Sequence, residues 1–311
     1  MTVSEVAGSG FQIPLPHQVF DFRTTDGAIV RLRQYGSLGK RRLALSHGNG
    51  LAINAYFPFW RLLLNEFELI LFDLRNHGEN PFHDPVPHTW ERIACDMGEI
   101  WCGINSVFGT KPIIGVFHSL SALAALMNEF ECGPRWDALA LFDPPAFPRA
   151  GHALQEIEIE QRKKLARKAA GRPTSYSSPE EFARQLSRQA AFKRWVPGSY
   201  LEFARSTLRG DSVSWTLRCP RELESKIFSG DSDRFVWTQM DELAQPVILI
   251  GADPNSADAG TAAHICHAIY AEIGIRYAFV HDTTHFLQIE KPEDCCAILK
   301  KFIDDVLPSR G

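Results

Sequence analysis

The run Ile113-Ile114-Gly115-Val116-Phe117-His118-Ser119-Leu120-Ser121-Ala122 passes from an apolar strand pattern into a small-residue helix pattern, with a serine at the join. A sharp strand-to-helix turn there would lift a hydroxyl above the sheet and aim a helix N-terminus at a reacting carbon. Such a turn asks for small side chains two residues to either side, a demand that Ser121 meets and Phe117 does not. Taken alone, Phe-His-Ser-Leu-Ser is a weak nucleophile motif, and a helix-capping serine accounts for it about as often. Upstream, Ala44-Leu45-Ser46-His47-Gly48-Asn49-Gly50 ends an apolar run in a His-Gly turn rich in backbone N–H groups. A loop of that kind can stabilise an oxyanion. Near the C-terminus, His281-Asp282-Thr283-Thr284-His285-Phe286 follows an apolar run and opens a helical one, so a histidine there can swing over the sheet edge. Serine, N–H-rich loop and late histidine are the parts needed for nucleophilic attack on an acyl carbon.

Elements of two kinds must hold these parts. Short β-rich runs are expected as strands at Val19–Arg23, Ile29–Tyr35, Arg42–Ser46, Leu69–Phe72, Ile113–Phe117, Leu139–Phe142, Val247–Ile250 and Tyr277–Val280. Between them, apolar residues recur at helical spacing over Tyr56–Phe67, Ile93–Val107, Leu120–Phe130, Ala262–Ile273 and Phe286–Val306. Alternation of this kind predicts an α/β fold, a mostly parallel eight-stranded sheet with helices on both faces. The stretch 148–241 breaks the rhythm: it is rich in Arg, Lys, Glu, Gln and Ser and offers no convincing strand. It is expected to be a helical cap inserted into a core domain of residues 1–147 and 242–311. Within it, Ser178-Pro179-Glu180-Glu181 reads as a helix start.

In the order and spacing of the His-Gly turn, the serine turn and the late Thr-His-Phe-Leu-x-x-Glu-x-Pro-Glu, the chain resembles a capped α/β-hydrolase over Gln18–Pro148 and Ala244–Leu307. Phe72-Asp73-Leu74-Arg75-Asn76-His77-Gly78 is similar to the family's Asp-x-Arg-Gly-x-Gly turn, with Asn76 in place of a glycine, and is read as structural. The resemblance implies that Ser119 is the nucleophile, His285 the general base, and the N–H groups of Asn49 and Leu120 the oxyanion hole. For the acid, Gln245-Pro246-Val247-Ile248-Leu249-Ile250-Gly251-Ala252-Asp253-Pro254 resembles the family's strand and turn but is one residue shorter, which makes Asp253 the first choice. Asp258 in the same loop and Asp143 in Phe142-Asp143-Pro144-Pro145 are the alternatives. The implied activity is a cofactor-independent hydrolase of a carboxylic ester or thioester of a small molecule. Acyl transfer to another acceptor, a lyase reaction, or a non-catalytic binding protein on this scaffold are the other readings.

The rest of the sequence narrows the class. Lys plus Arg at 33 against Asp plus Glu at 37 gives a net charge of −4, so no cationic field exists to hold a nucleic acid. No window approaches a membrane span, and the first thirty residues lack the basic start and apolar core of a secretory signal. An odd cysteine count, seven, in a chain of 311 residues reads as reduced thiols in a cytoplasm. Gly-x-Gly-x-x-Gly and Gly-x-x-x-x-Gly-Lys-Ser/Thr do not follow the strands, so no nucleotide cofactor is expected. His264, Cys266 and His267 lie close in sequence, yet no second ligand cluster accompanies them and no metal is expected. Arg162-Lys163-Lys164-Leu165-Ala166-Arg167-Lys168 is the densest basic run, read as a solvated helix face or as an attractor for an anionic substrate. Oligomeric state has no signature in the sequence.

Overall fold

The computed structural model describes residues 10–83, 88–210 and 214–307. Eight strands form the main sheet: β1 (Gln18–Arg23), β2 (Ile29–Gly36), β3 (Arg42–Leu45), β4 (Glu68–Leu71), β5 (Ile113–His118), β6 (Ala138–Phe142), β10 (Val247–Ala252) and β11 (Arg276–Val280). Their order across the sheet is β1-β2-β4-β3-β5-β6-β10-β11. The β1–β2 and β2–β4 pairs are antiparallel, and the five pairs from β4–β3 to β10–β11 are parallel. Every expected strand is present. Strands β3, β4, β5, β6 and β10 are buried at every position, as predominantly apolar strands in a parallel sheet covered on both faces must be, and the charged Arg42 and Glu68 that start β3 and β4 pair with each other. The outer strand β1 is mostly exposed.

Period-two alternation sends side chains to two cores. Ile114, Val116, Ala140, Phe142 and Ile250 face one; Ile113, Phe117, Leu139, Leu141 and Leu249 face the other. Helices α2 (Trp90–Phe108), α3 (Leu120–Cys132) and α8 (Thr261–Ile273) cover the second face. Helices α1 (Phe57–Trp60), α9 (Leu287–Glu290) and α10 (Pro292–Val306) cover the first. Two expected helices are broken. Tyr56–Phe67 is a chain of short turns of which α1 is the only α-helical one, and Phe286–Val306 divides at Lys291-Pro292, where proline can start a helix but not continue one.

The segment between β6 and β10 carries helices α4 (Gln155–Ala170), α5 (Pro179–Ser187), α6 (Ser199–Thr207) and α7 (Arg221–Ser229). Contrary to expectation it also holds a small antiparallel sheet, β7 (Ser175–Tyr176), β9 (Trp215–Leu217) and β8 (Leu208–Gly210), whose strands are too short to show a period. Ser178 caps α5 as expected, its hydroxyl accepting from the Glu181 N–H at 3.0 Å. The basic run of α4 is not one surface: Arg162 is buried between Glu158 and Asp233, Lys163 pairs with Glu160 in solvent, and Lys168 lies over the Phe192 ring. No helix among the described residues is long and apolar enough to cross a membrane. The outermost ends of the core segment, 1–9 and 308–311, lie outside the described residues.

One buried acid sets a pH dependence of stability. The Glu129 carboxyl in α3 is 5% exposed, and burial pushes its pKa from 4.5 to about 7 despite donation from the Arg135 N–H and Gln245 Nε2. Between those values the unfolded chain gives up a proton that the native chain keeps, so stability declines as pH rises through the window. The decline is complete above about pH 7. Glu129→Gln is therefore expected to melt near the parent's temperature at the acid end of the window and above it at the alkaline end. A constant difference across the pH range would assign the effect to packing.

Candidate active site

Ser119 joins β5 to α3 with φ 52° and ψ −111°, a region where a residue with a side chain is strained by about 1–3 kcal/mol. Its surroundings hold it there. The Ser119 N–H donates to the Phe142 carbonyl of β6 at 3.0 Å, and its carbonyl accepts from the Leu123 N–H at 3.0 Å. Ser121 brackets the turn: its buried hydroxyl donates to the His118 carbonyl and accepts from the His118 N–H, both at 3.0 Å. The demand for a small residue at 117 fails for a simple reason. Phe117 points into the α2–α3 core, with its ring 5.0 Å from that of Trp136, and a Cβ at Gly115 would lie 2.4 Å from it. Gly115, two residues earlier on the same face, supplies the missing space.

His285 sits in the loop after β11. Thr284 N–H and hydroxyl both donate to the Glu290 carboxylate at 2.6 and 2.5 Å, and the Thr283 hydroxyl donates to the Val280 carbonyl at 2.6 Å. So fixed, the ring places Nε2 3.0 Å from Ser119 Oγ and Nδ1 2.7 Å from an Asp143 carboxylate oxygen. A carboxylate can only accept, so Nδ1 carries the proton and Nε2 offers its lone pair to the serine hydroxyl. Asp143 is 1% exposed, and its other oxygen accepts from the Ala252 N–H at 3.1 Å.

The acid beside the histidine is thus Asp143, the alternative choice, and not Asp253. Asp253 is spent on its own loop, accepting from the N–H groups of Asp282 at 2.8 Å and Asn255 at 2.9 Å, and these two donors hold its carboxyl below the usual range. Asp258 is exposed and pairs with Lys193 and Arg194. Strand register explains the outcome. Phe142 pairs with Ile250, so Asp143 leaves the sheet one strand nearer to Ser119 than Asp253 does. Its φ of 45° folds it back over the strand ends.

The His-Gly turn passes directly over the serine. A Cβ at Gly48 would lie 3.1 Å from Ser119 Cβ and 3.0 Å from His118 Nδ1, so any larger residue would press on the serine and the histidine beside it. In this loop the N–H groups of Gly48, Gly50 and Leu51 donate to Tyr56 Oη, His77 Nε2 and the Gly48 carbonyl. That of Asn49 is left over among the described residues. Leu120 N–H, the first of α3, has no carbonyl four residues back to serve it. The Asn49 side-chain amide meanwhile donates to the Glu224 carbonyl of α7 at 2.9 Å. Below the loop, burial would raise the Asp73 carboxyl, but Arg33, His47 and two backbone N–H donors outweigh it and keep it ionised.

Nothing in the sequence singled out His118. Its ring is fully buried, and burial holds its pKa well below the ordinary value. Nε2 lies 2.8 Å from the His285 carbonyl and so donates to it; Nδ1 then accepts from the Tyr56 hydroxyl at 2.6 Å. Since Tyr56 Oη accepts from Gly48 N–H, one directed chain of hydrogen bonds ties the His-Gly turn to the backbone of His285. The other histidines weighed in the sequence take no part: His281 is exposed, and His264 and His267 sit on the outer side of α8 with Cys266 buried on the inner one.

A sheet of this order, with serine after β5, acid after β6 and histidine after β11, defines the α/β-hydrolase class. The sequence profile of the alpha/beta hydrolase family matches residues 43–298, and the chain belongs to that family. Among solved structures it is similar to an E-2-(acetamidomethylene)succinate hydrolase, with 15% identity, TM-score 0.73, and 92% of this chain and 100% of that one covered. It is also similar to the thioesterase domain from the curacin biosynthetic pathway (12% identity, TM-score 0.71, 91% and 99% covered). A thermophilic esterase from Thermogutta terrifontis aligns at 19% identity and TM-score 0.66, with 93% and 99% covered. No curated protein matches the sequence.

Proposed function

We propose that the protein is a serine hydrolase that cleaves a carboxylic ester or thioester of a small molecule through an acyl-enzyme, with Ser119 as nucleophile, His285 as general base and Asp143 as the acid. The observation that carries this reading is the unbroken hydrogen-bonded chain from the Ser119 hydroxyl through both nitrogens of His285 to a buried carboxylate. In the first half-reaction Ser119 Oγ attacks the carbonyl carbon while its proton passes to His285 Nε2. Asp143 stabilises the imidazolium without taking its proton. The N–H groups of Asn49 and Leu120 are the donors for the developing oxyanion. The proton then goes to the departing alcohol or thiol, and water repeats the sequence on the acyl-enzyme. Membership of the family and likeness to proteins described as a hydrolase, a thioesterase and an esterase support the reading.

A fluorophosphonate probe tests it. Mass spectrometry is expected to find one adduct, on Ser119, in protein that also turns over members of an ester and acyl-thioester panel. An adduct on Ser121 would move the nucleophile; no adduct and no turnover would favour a binding protein on this scaffold. His118 has its own expected result. His118→Phe keeps a ring but removes both hydrogen bonds, and is expected to lower kcat about 10–100-fold with little change in KM, since each lost bond to a buried group is worth about 1–3 kcal/mol. A change in thermal stability with unaltered kcat would reduce His118 to packing.

A further inference from the structure

Three residues far apart in sequence converge beneath the His-Gly turn. His77 lies in the turn after β4, His88 just before α2, and Cys219 in the insertion between β9 and α7. All three are buried, and one ligand atom from each lies within 4.8 Å of the other two. Their hydrogen bonding is uneven in an informative way. His77 Nδ1 lies 2.9 Å from the Arg75 carbonyl and must donate to it, so Nε2 carries the lone pair, which accepts from the Gly50 N–H at 3.1 Å. An imidazole that donates through one nitrogen to a backbone carbonyl and presents the other is the usual arrangement of a metal ligand. His88 is fully buried with neither ring nitrogen hydrogen-bonded among the described residues, and its ring stacks on that of His77 at 5.8 Å. A buried polar group without a partner is destabilising, and a ligand that uses its lone pair would remove that cost. The Cys219 thiol makes a long 3.7 Å contact to the adjacent Pro220 carbonyl, and the Glu224 N–H also points to its sulfur.

We propose that His77, His88 and Cys219 form a binding site for a zinc-class divalent cation. Two imidazoles and one thiolate are the borderline-soft donor set that zinc takes, with a fourth position left for water. Around tetrahedral zinc, with bonds of about 2.0–2.3 Å, donor atoms stand about 3.3–3.6 Å apart, so the cluster has to contract by about an ångström. A shift of the His88 ring toward the metal would cost it no hydrogen bond to the described residues. Binding forms a Zn–S bond and sends the thiol proton to solvent, and the metal takes the His77 lone pair from the Gly50 N–H. Nothing in this site depends on the hydrolase reading.

The test uses full-length protein whose exposed cysteines, Cys95, Cys102 and Cys132, are changed to serine so that surface thiols do not compete. Zinc is titrated against a chromophoric chelator, and cobalt(II) is added in parallel as an optical probe. One zinc per chain is expected, with a thiolate-to-cobalt charge-transfer band. Cys219→Ser should abolish the band, and both Cys219→Ser and His88→Leu should weaken zinc binding by more than about a hundredfold, beyond the usual cost of altering an outer-shell partner. His285→Ala should leave affinity and band unchanged. Absence of stoichiometric binding, a band that survives Cys219→Ser, an affinity indifferent to His88→Leu, or binding lost with His285 would each overturn the proposal. If either variant misfolds, zinc-dependent elevation of the thermal midpoint in the cysteine-to-serine parent that is absent in Cys219→Ala decides the matter.

Discussion

Ser119→Ala is expected to lower kcat on an ester by about 10⁶-fold while leaving KM near the parent's, because removing the nucleophile of such a triad costs about as much as removing all its members. What survives is catalysis by the oxyanion donors and by binding, worth about 10³–10⁴ over water. The measurement is steady-state turnover of the best panel substrate, with the variant purified free of parent enzyme. A loss of less than about a hundredfold would mean that another group attacks the carbonyl. Ser121 is poorly placed for that, since its hydroxyl is held by both the N–H and the carbonyl of His118.

Asp143→Asn is expected to cost about 10⁴-fold in kcat. An amide can donate to His285 Nδ1, which would force the tautomer with its proton on Nε2, where it cannot accept from Ser119. Asp253→Asn is the matched control. The substituted side chain keeps one acceptor for the two N–H groups that Asp253 now serves, so the loop beneath His285 loosens and kcat falls by about tenfold or less. Equal losses in the two variants, or a larger one at Asp253, would return the acid to the loop after β10.

The choice between these two aspartates was beyond the sequence for a physical reason. Phe142-Asp143-Pro144 and Ala252-Asp253-Pro254 are the same local signal, an apolar strand ending in Asp-Pro, and only strand order and register separate them. What local periodicity carries was legible: all eight strands of the sheet and the long helices α2, α3 and α8. Ser119, His285 and the His-Gly turn were legible too, as positions at the ends of such elements. Shorter features were not. Strands of two or three residues in the insertion complete too little of a period to be seen. Phe117 misled because its partner for space, Gly115, was not read with it. The role of His118 rests on a tyrosine 62 residues earlier and a carbonyl 167 residues later, contacts that no local pattern encodes.

The buried guanidinium of α4 has a bearing on how such a chain accommodates so long an insertion. Arg162 donates to the Pro145 carbonyl, where the chain leaves the sheet, and to the Gly230 carbonyl, just past α7 on the way back, at 2.8 and 3.2 Å. Asp233, which it pairs with, also accepts from the Phe147 N–H at 3.2 Å. Departing and returning chain therefore meet at one ionic knot. Between the knot and the sheet the chain has only residues 143–144 on the departing side and 234–246 on the returning one. Closure entropy grows only with the logarithm of loop length, about 0.6 kcal/mol per doubling, and a neck fastened in this way separates even that cost from the folding of the sheet. A change that breaks the Arg162–Asp233 pair would accordingly return that closure cost to the joining of β6 and β10.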